Sequence, residues 1–293
     1  MNCIKKISLL VFCCLALVSY DSLLAAPGAV VPWTTYEAED MNTSGYVSGP
    51  QYYPGFLGTE CSGRRFVQLY DTNQFVEFTA NQSADALVIR YGVPDTVDGL
   101  GADYTLNLYT NGVFAQTLTL TSKYSWLYGN YPFNNNPNSG SSRNLFDEVR
   151  LKIPLVPGEL VRLQKDAPNT AAYYNIDLMD LEIVPGPLNQ PVNSLSVLSY
   201  GADATGIGDA TTALKNCISA ASSQGKSVWV PAGIYKITSA INLPSNITIQ
   251  GAGMWHSTFF GDPALYSNSS RRVALVYQRN FLYSQPTFNL FLS

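Results

Sequence analysis

Residues 200–237 read YGADATGIGDATTALKNCISAASSQGKSVWVPAGIYKI. Gly201, Gly206 and Gly208 alternate with Asp203 and Asp209, ahead of an Ala-rich segment and an apolar run ending in Pro231-Ala232-Gly233. Such a turn can cradle a phosphate, hold a metal or open a larger fold. A P-loop needs Lys-Ser/Thr after its glycines, and a dinucleotide loop needs a preceding strand with set glycine spacing. The three glycines match neither, and no lysine lies close. The aspartates also lack the alternation and closing Glu of an EF-hand loop. The opening of a fold is the remaining reading.

The residues that follow support it. Ala213, Leu214, Cys217, Ile218 and Ala221 recur every three or four residues, one face of a helix over 210–222. Asp209 or Thr211 suits its start, and Gly225 its end. SVWVPAGIYKI, INLP and NITIQGAG then read as short strands joined by tight turns.

Upstream, residues 35–184 alternate in short runs separated by turn residues. FVEFTA, DALVIRYGV, ADYTLNLYTNGVFAQTLTL and DEVRLKI read as strands. Asn111-Gly112 inside the third predicts a hairpin, because a type I′ turn needs positive φ at both central positions. Several short strands at this spacing predict a β-sandwich of roughly 150 residues. PGPLNQPVNS, residues 185–194, carries three prolines and cannot continue a sheet, so a stiff linker is expected there.

Composition narrows the class. The 293-residue chain is 46% hydrophobic and 13% charged, with a formal net charge of −4. That balance excludes a disordered tail, and no basic face suggests a nucleic acid partner. Lys5-Lys6, the apolar run 7–18 and Ala25-Ala26 predict a secretory signal over 1–25 and an extracellular protein. The run is too short for a membrane span, and nothing later is long and apolar enough, so no membrane association is expected after cleavage. Cys61 and Cys217 are too few and too far apart for a disulfide framework, and two buried free thiols are expected. Asn42, Asn81, Asn246 and Asn268 open Asn-x-Ser/Thr sequons, which suit a secreted glycoprotein.

Two family resemblances sharpen this. Tyr200-Gly201-Ala202, Gly208-Asp209, the helix, Pro231-Ala232-Gly233-Ile234-Tyr235 and Gly251-Ala252-Gly253 together resemble the cap and first rungs of the pectate-lyase-like right-handed β-helix superfamily. An open stack of rungs exposes apolar core at its end, and a capping helix covers it. TTYEAED, CSGRRFVQL, NQFVEFTA, the Asn-Gly hairpin and YYNIDLMDLEIV resemble, in order, carbohydrate-binding modules of the family 6/35/36 type, β-sandwiches that carry a structural calcium. The resemblance puts Glu37, Glu39 and Asp177 at the calcium carboxylates. Sugar binding would fall to flat aromatic faces and amides: Trp126, Tyr128, Tyr131 and Asn134 in the loop 124–144, and Tyr53 in GPQYYPGF.

The expected fold is all-β: a signal over 1–25, a jelly-roll sandwich over 30–184, a linker over 185–194 and the capped start of a right-handed parallel β-helix over 195–270. Residues 271–293 show no rung period and read as a divergent tail, expected of a truncated or frame-shifted product or of a fragmentary gene. The order of modules is similar to family 87 glycoside hydrolases of the mycodextranase and α-1,3-glucanase type. That resemblance implies a secreted, monomeric protein that binds polysaccharide, α-glucan first, with calcium as its structural cofactor. Catalysis is not expected of this chain. Glycosidases set two carboxyl groups across the scissile bond, Asp262 is the only acid after Ile249, and His256 reads as a rung or turn residue. The alternatives are an adhesion protein with a β-helical rod, or a pectin-acting lyase or hydrolase sharing the same cap.

Overall fold

The computed structural model describes residues 31–53, 56–96, 101–123 and 146–262, with two further strands at 276–277 and 289–291. The first eleven strands are β1 (Trp33–Glu37), β2 (Asn42–Thr43), β3 (Tyr46–Ser48), β4 (Phe66–Leu69), β5 (Phe75–Thr79), β6 (Ala84–Gly92), β7 (Asp103–Thr110), β8 (Val113–Thr121), β9 (Asp147–Leu155), β10 (Leu160–Gln164) and β11 (Tyr174–Glu182). They form two antiparallel sheets in a sandwich-like arrangement. One runs β3-β4-β11-β6-β9 with β1 also paired to β11, and the other runs β2-β5-β10-β7-β8.

Period-two alternation explains the core. Val67, Leu69, Leu87, Ile89, Ile176 and Leu181 of the first sheet meet Val76, Val161, Leu163, Leu106, Leu108 and Leu120 of the second, all fully buried. Each such side chain contributes about 1.5–3 kcal/mol by leaving water. The Asn111-Gly112 hairpin forms as its dipeptide predicts, with φ of 49° and 75°. The predicted strands all form within a few residues of their sequence bounds.

Beyond Glu182 the pairing changes character. Next come β12 (Ser194–Ser196), β13 (Thr205–Asp209), α1 (Thr211–Gln224), β14 (Ser227–Val230), β15 (Gly233–Ile237), β16 (Ile241–Asn242), β17 (Thr248–Gly251), β18 (Ser257–Gly261), β19 (Val276–Tyr277) and β20 (Asn289–Phe291). These strands pair only in parallel, as β12-β14-β17-β20, β13-β15-β18 and β16-β19. The chain therefore revisits the same sheets in turn. Leu195, Val228 and Ile249 share one register row, which continues to Leu290. The segment 271–293, which shows no repeat in sequence, thus supplies a strand to each of two parallel sheets.

Helix α1 buries the face its sequence predicts: Ala213, Leu214, Cys217, Ile218 and Ala221 pack with Val228, Val230, Tyr235 and Ile237. Its start differs from expectation. The N-cap position is Ala210, which has no side-chain cap. Asp209 instead accepts from the Thr211 amide at 2.9 Å and from its hydroxyl at 2.5 Å, one residue early. Gly225 ends the helix at φ 63°, as predicted. Gly206 and Gly208 belong to the β13 strand and the turn into it: the Asp203 carboxylate accepts from the Thr205 and Gly208 amides at 2.6 and 3.1 Å.

The Pro-rich segment 185–194 is held along its length. The Leu188 amide donates to the Ala252 carbonyl at 2.8 Å, the Ser227 amide donates to the Asn193 carbonyl at 3.1 Å, and His256 Nε2 lies 2.8 Å from the Pro185 carbonyl. Trp255 Nε1 donates to Glu182 Oε2 at 2.6 Å, and the Arg150 guanidinium sits 5.9 Å from the Trp255 ring centre. Trp33–Ser293 accordingly forms one compact unit. Cys61 and Cys217 are both free and buried, in line with expectation.

Candidate functional site

The three acidic residues predicted as ligands each touch the loop 60–64, Glu37 and Asp177 at Ser62 and Glu39 at Gly63, without converging on one point. Asp177 sits at a β-bulge, where the register of β11 against β6 slips between Ile176 and Leu178. Its neighbours Ile176, Met179 and Leu181 on the same strand are fully buried in the core. Its side chain is fully buried and paired with Arg90 of β6. The Ser62 amide donates to both Asp177 oxygens, at 3.1 and 3.4 Å. The Ser62 hydroxyl donates to Glu37 Oε1 at 2.6 Å, so one serine joins the end of β1 to the middle of β11. Arg90 Nη2 donates to the Glu60 carbonyl at 3.0 Å, which fixes the loop from the other side.

Glu39 lies in the 3-10 turn Ala38–Asp40 that follows β1. Its Oε1 faces Gly63, where a Cβ would come within 2.6 Å, and Gly63 has φ 55°. That left-handed backbone favours glycine, and a larger residue would push the Glu39 carboxylate aside. Glu37 Oε2 and Glu39 Oε2 are buried and receive no hydrogen bond. Burial, with the charges of Glu37 and Asp40 adding to it, pushes the Glu39 carboxyl above its ordinary range. Burial pushes Asp177 up to about 7, against the pull of Arg90 and the Ser62 amide. The Cys61 thiol is pushed up as well, by burial and then by the Asp177 charge, so it is an inert thiol and no nucleophile.

Chemically, Glu37 and Glu39 offer hard oxygens that lack a donor, which suits a cation such as calcium. Asp177 differs, because its two oxygens are committed to Arg90 and Ser62. Among the described residues, no three His, Cys, Asp or Glu side chains converge in the manner of a metal cluster. Beside the carboxylates, an open groove of about 620 Å³ runs past Tyr36, Glu37, Asp40, Asn42 and Glu77.

Of the residues predicted to bind sugar, Tyr53 is described and is 74% exposed. Its neighbour Tyr52 is also exposed, with the Arg64 guanidinium 5.2 Å from its ring centre. Trp126, Tyr128, Tyr131 and Asn134 lie outside the described residues. Asp262 forms an ion pair with Lys236 at 2.9 Å, and His256 occupies a turn, as its sequence context suggests.

Sequence reasoning passed over Arg90 and Ser62. The signal for Arg90 was there: a lone charge within the apolar strand sequence ALVIRYG, and a lone acid in NIDLM. A charge that interrupts a buried run needs a partner, and each is the other's.

The family Alpha-1,3-glucanase catalytic domain D1 matches residues 30–184. The family Rhamnogalacturonase A/epimerase, pectate lyase-like, matches residues 194–289. Among solved structures, the Agl-KA catalytic domain is 32% identical, with 80% of this chain and 43% of that chain covered and a TM-score of 0.70. The catalytic unit of a thermostable GH87 α-1,3-glucanase from Streptomyces thermodiastaticus strain HF3-3 is 38% identical, covering 80% of this chain and 41% of that one, with a TM-score of 0.64. The catalytic domain of a GH87 α-1,3-glucanase in complex with nigerose is 27% identical, covering 81% and 42%, with a TM-score of 0.62. The chain spans less than half the length of these solved relatives. Among curated proteins no match is found.

Proposed function

Because this chain belongs to the α-1,3-glucanase family, glycoside hydrolase family 87, we propose that it is a secreted protein that binds α-glucan through its sandwich. The observation that carries this reading is the family match across 30–184, the whole of that sandwich. In this reading the exposed rings of Tyr52 and Tyr53, together with Trp126, Tyr128, Tyr131 and Asn134, bind sugar. Aromatic faces bind the C–H surface of a hexose while amides meet its hydroxyls. The sandwich is then a module of the carbohydrate-binding 6/35/36 type, and the parallel sheets begin a right-handed β-helix with α1 as its cap.

The same reading includes a structural calcium at Glu37 and Glu39, supported by their two buried oxygens without donors. Asp177 enters that set only by giving up Arg90. The ion would neutralise the two carboxylates and tie β1 to the loop 60–64.

Sedimentation of the full chain with insoluble α-1,3-glucan, against cellulose and galacturonan, tests the reading. Retention on α-1,3-glucan that weakens with EDTA is expected. Equal or stronger retention on galacturonan would favour a pectin-directed protein, the second reading, which the match of residues 194–289 supports. Retention on none would leave the adhesion-rod alternative.

A further inference from the structure

The outer face of the first sheet carries a second feature. Tyr46 of β3, Gln68 of β4 and Asn175 of β11 stand in one register row. Cross-strand partners in such a row project from the same sheet face. The Gln68 amide is held from two directions: its Nε2 donates to Asn175 Oδ1 at 2.9 Å, and its Oε1 accepts the Tyr70 hydroxyl at 2.9 Å. Asn175 is buried at 2% exposure, while Tyr46 and Tyr70 are 62% and 45% exposed. Two open rings therefore bracket an amide that a buried side chain anchors.

The mounting is rigid. At Gly45 a Cβ would lie 2.7 Å from the Gln68 carbonyl, so β3 crosses β4 at a distance only glycine allows. The Tyr70 amide donates to Gln74 Oε1 at 2.6 Å, and its carbonyl accepts from the buried Lys165 ammonium. Exposed apolar side chains scattered singly need no explanation. These two are not scattered: the Gln68 amide holds the Tyr70 hydroxyl, and Tyr46 stands directly across from Gln68 in the register row. Fixed aromatic rings with a polar handle supply contact area at low entropic cost, which suits recognition. All four side chains are uncharged, so the surface fits a neutral hydroxylated chain and offers nothing to an anionic uronan.

We propose that Tyr46, Gln68 and Tyr70 form a platform that binds a neutral α-glucan chain, additional to Tyr53 and the loop 124–144. The proposal rests on the α-glucan reading above. Titration of the full chain with α-1,3-linked gluco-oligosaccharides, followed calorimetrically, tests it. Tyr46→Ala and Tyr70→Ala should each weaken binding about two- to tenfold, and Tyr46→Phe should retain it. Wild-type affinity in the Tyr46→Ala/Tyr70→Ala double variant would overturn the platform and leave the α-glucan reading intact. No binding by the wild type would overturn both, and equal affinity for oligogalacturonate would overturn the neutral ligand. Should the variants misfold, hydroxyl-radical footprinting of the wild type decides: saccharide must protect Tyr46 and Tyr70, and unprotected rings sink the platform.

Discussion

Arg90 and Asp177 pair across β6 and β11, and the Asp177 side chain is wholly out of solvent. The pair also anchors a loop, because Arg90 reaches the Glu60 carbonyl and Asp177 takes the Ser62 amide. Removing one partner of a buried pair strands the other charge, at a cost of about 3–5 kcal/mol. Arg90→Ala should therefore lower the unfolding free energy by about that much, measured by urea denaturation. An Arg90→Leu/Asp177→Leu double variant should recover most of the loss, since apolar replacement of both partners is often neutral. A single variant within about 0.5 kcal/mol of wild type, the range of ordinary surface changes, would refute the coupling.

Glu37 and Glu39 make the opposite prediction. Each has a buried oxygen without a donor, and the Glu39 carboxyl is already pushed up by burial and by its acidic neighbours. Burial and the acidic neighbours outweigh what a backbone hydrogen bond and Arg65 return to the Glu39 charge, so Glu39→Gln should stabilise the fold without calcium. Calcium should raise the melting temperature of the wild type, by linkage of about 2.7 kcal/mol at a hundred times its dissociation constant. The variant should lose that response. Melting curves with calcium and with EDTA check both effects, and a calcium shift surviving in Glu39→Gln would place the ion elsewhere.

What the sequence disclosed follows from the range of the interactions. The buried face of α1, its stop at Gly225 and the Asn111-Gly112 hairpin depend on residues within a few positions of each other, and periodicity and turn chemistry expose them. Arg90 meeting Asp177 is different, because it requires the register of β6 on β11 and a bulge at residue 177, both set by distant packing. The bond from Ser62 to Asp177 spans 115 positions, and the family resemblance named Glu37 and Asp177 without the serine that joins them. The row Tyr46–Gln68–Asn175 was hidden for the same reason: three strands far apart in sequence contribute one residue each. Residues 276–277 and 289–291 have no rung-like sequence, and their pairing comes from the rows already laid down by β16 and β17.

Trp255 offers a test of how the parallel sheets are held to the sandwich. Its indole N–H donates to Glu182, which is 7% exposed. Trp255→Phe keeps the ring and removes only the donor, leaving a buried carboxylate short of a partner. A loss of about 1–3 kcal/mol is expected, read from chemical denaturation. Trp255→Ala should cost more, because the ring beside Arg150 goes too. Equal stability of the Phe variant and the wild type would show that Glu182 finds another donor or water.

Asp166 sets the acid limit of the second sheet. Its carboxylate accepts from Gln164 Nε2 at 2.6 Å and from Asn107 Nδ2 and the Tyr109 hydroxyl, both at 2.5 Å. Some burial pushes its carboxyl up, but these three donors outweigh it and hold the group below its ordinary value. A group with a depressed folded pKa contributes stability above its unfolded pKa, about 3.9 for aspartate. As pH falls below that value, the unfolded chain takes up the proton first, and the contribution is lost on the way to the folded pKa. Asp166→Asn should thus be less stable than wild type at pH 7, and the gap should close as pH drops toward 2. Urea melts across that range provide the measurement. A gap that stays constant with pH would mean that geometry at this position, and not the charge of Asp166, supports the strands around it.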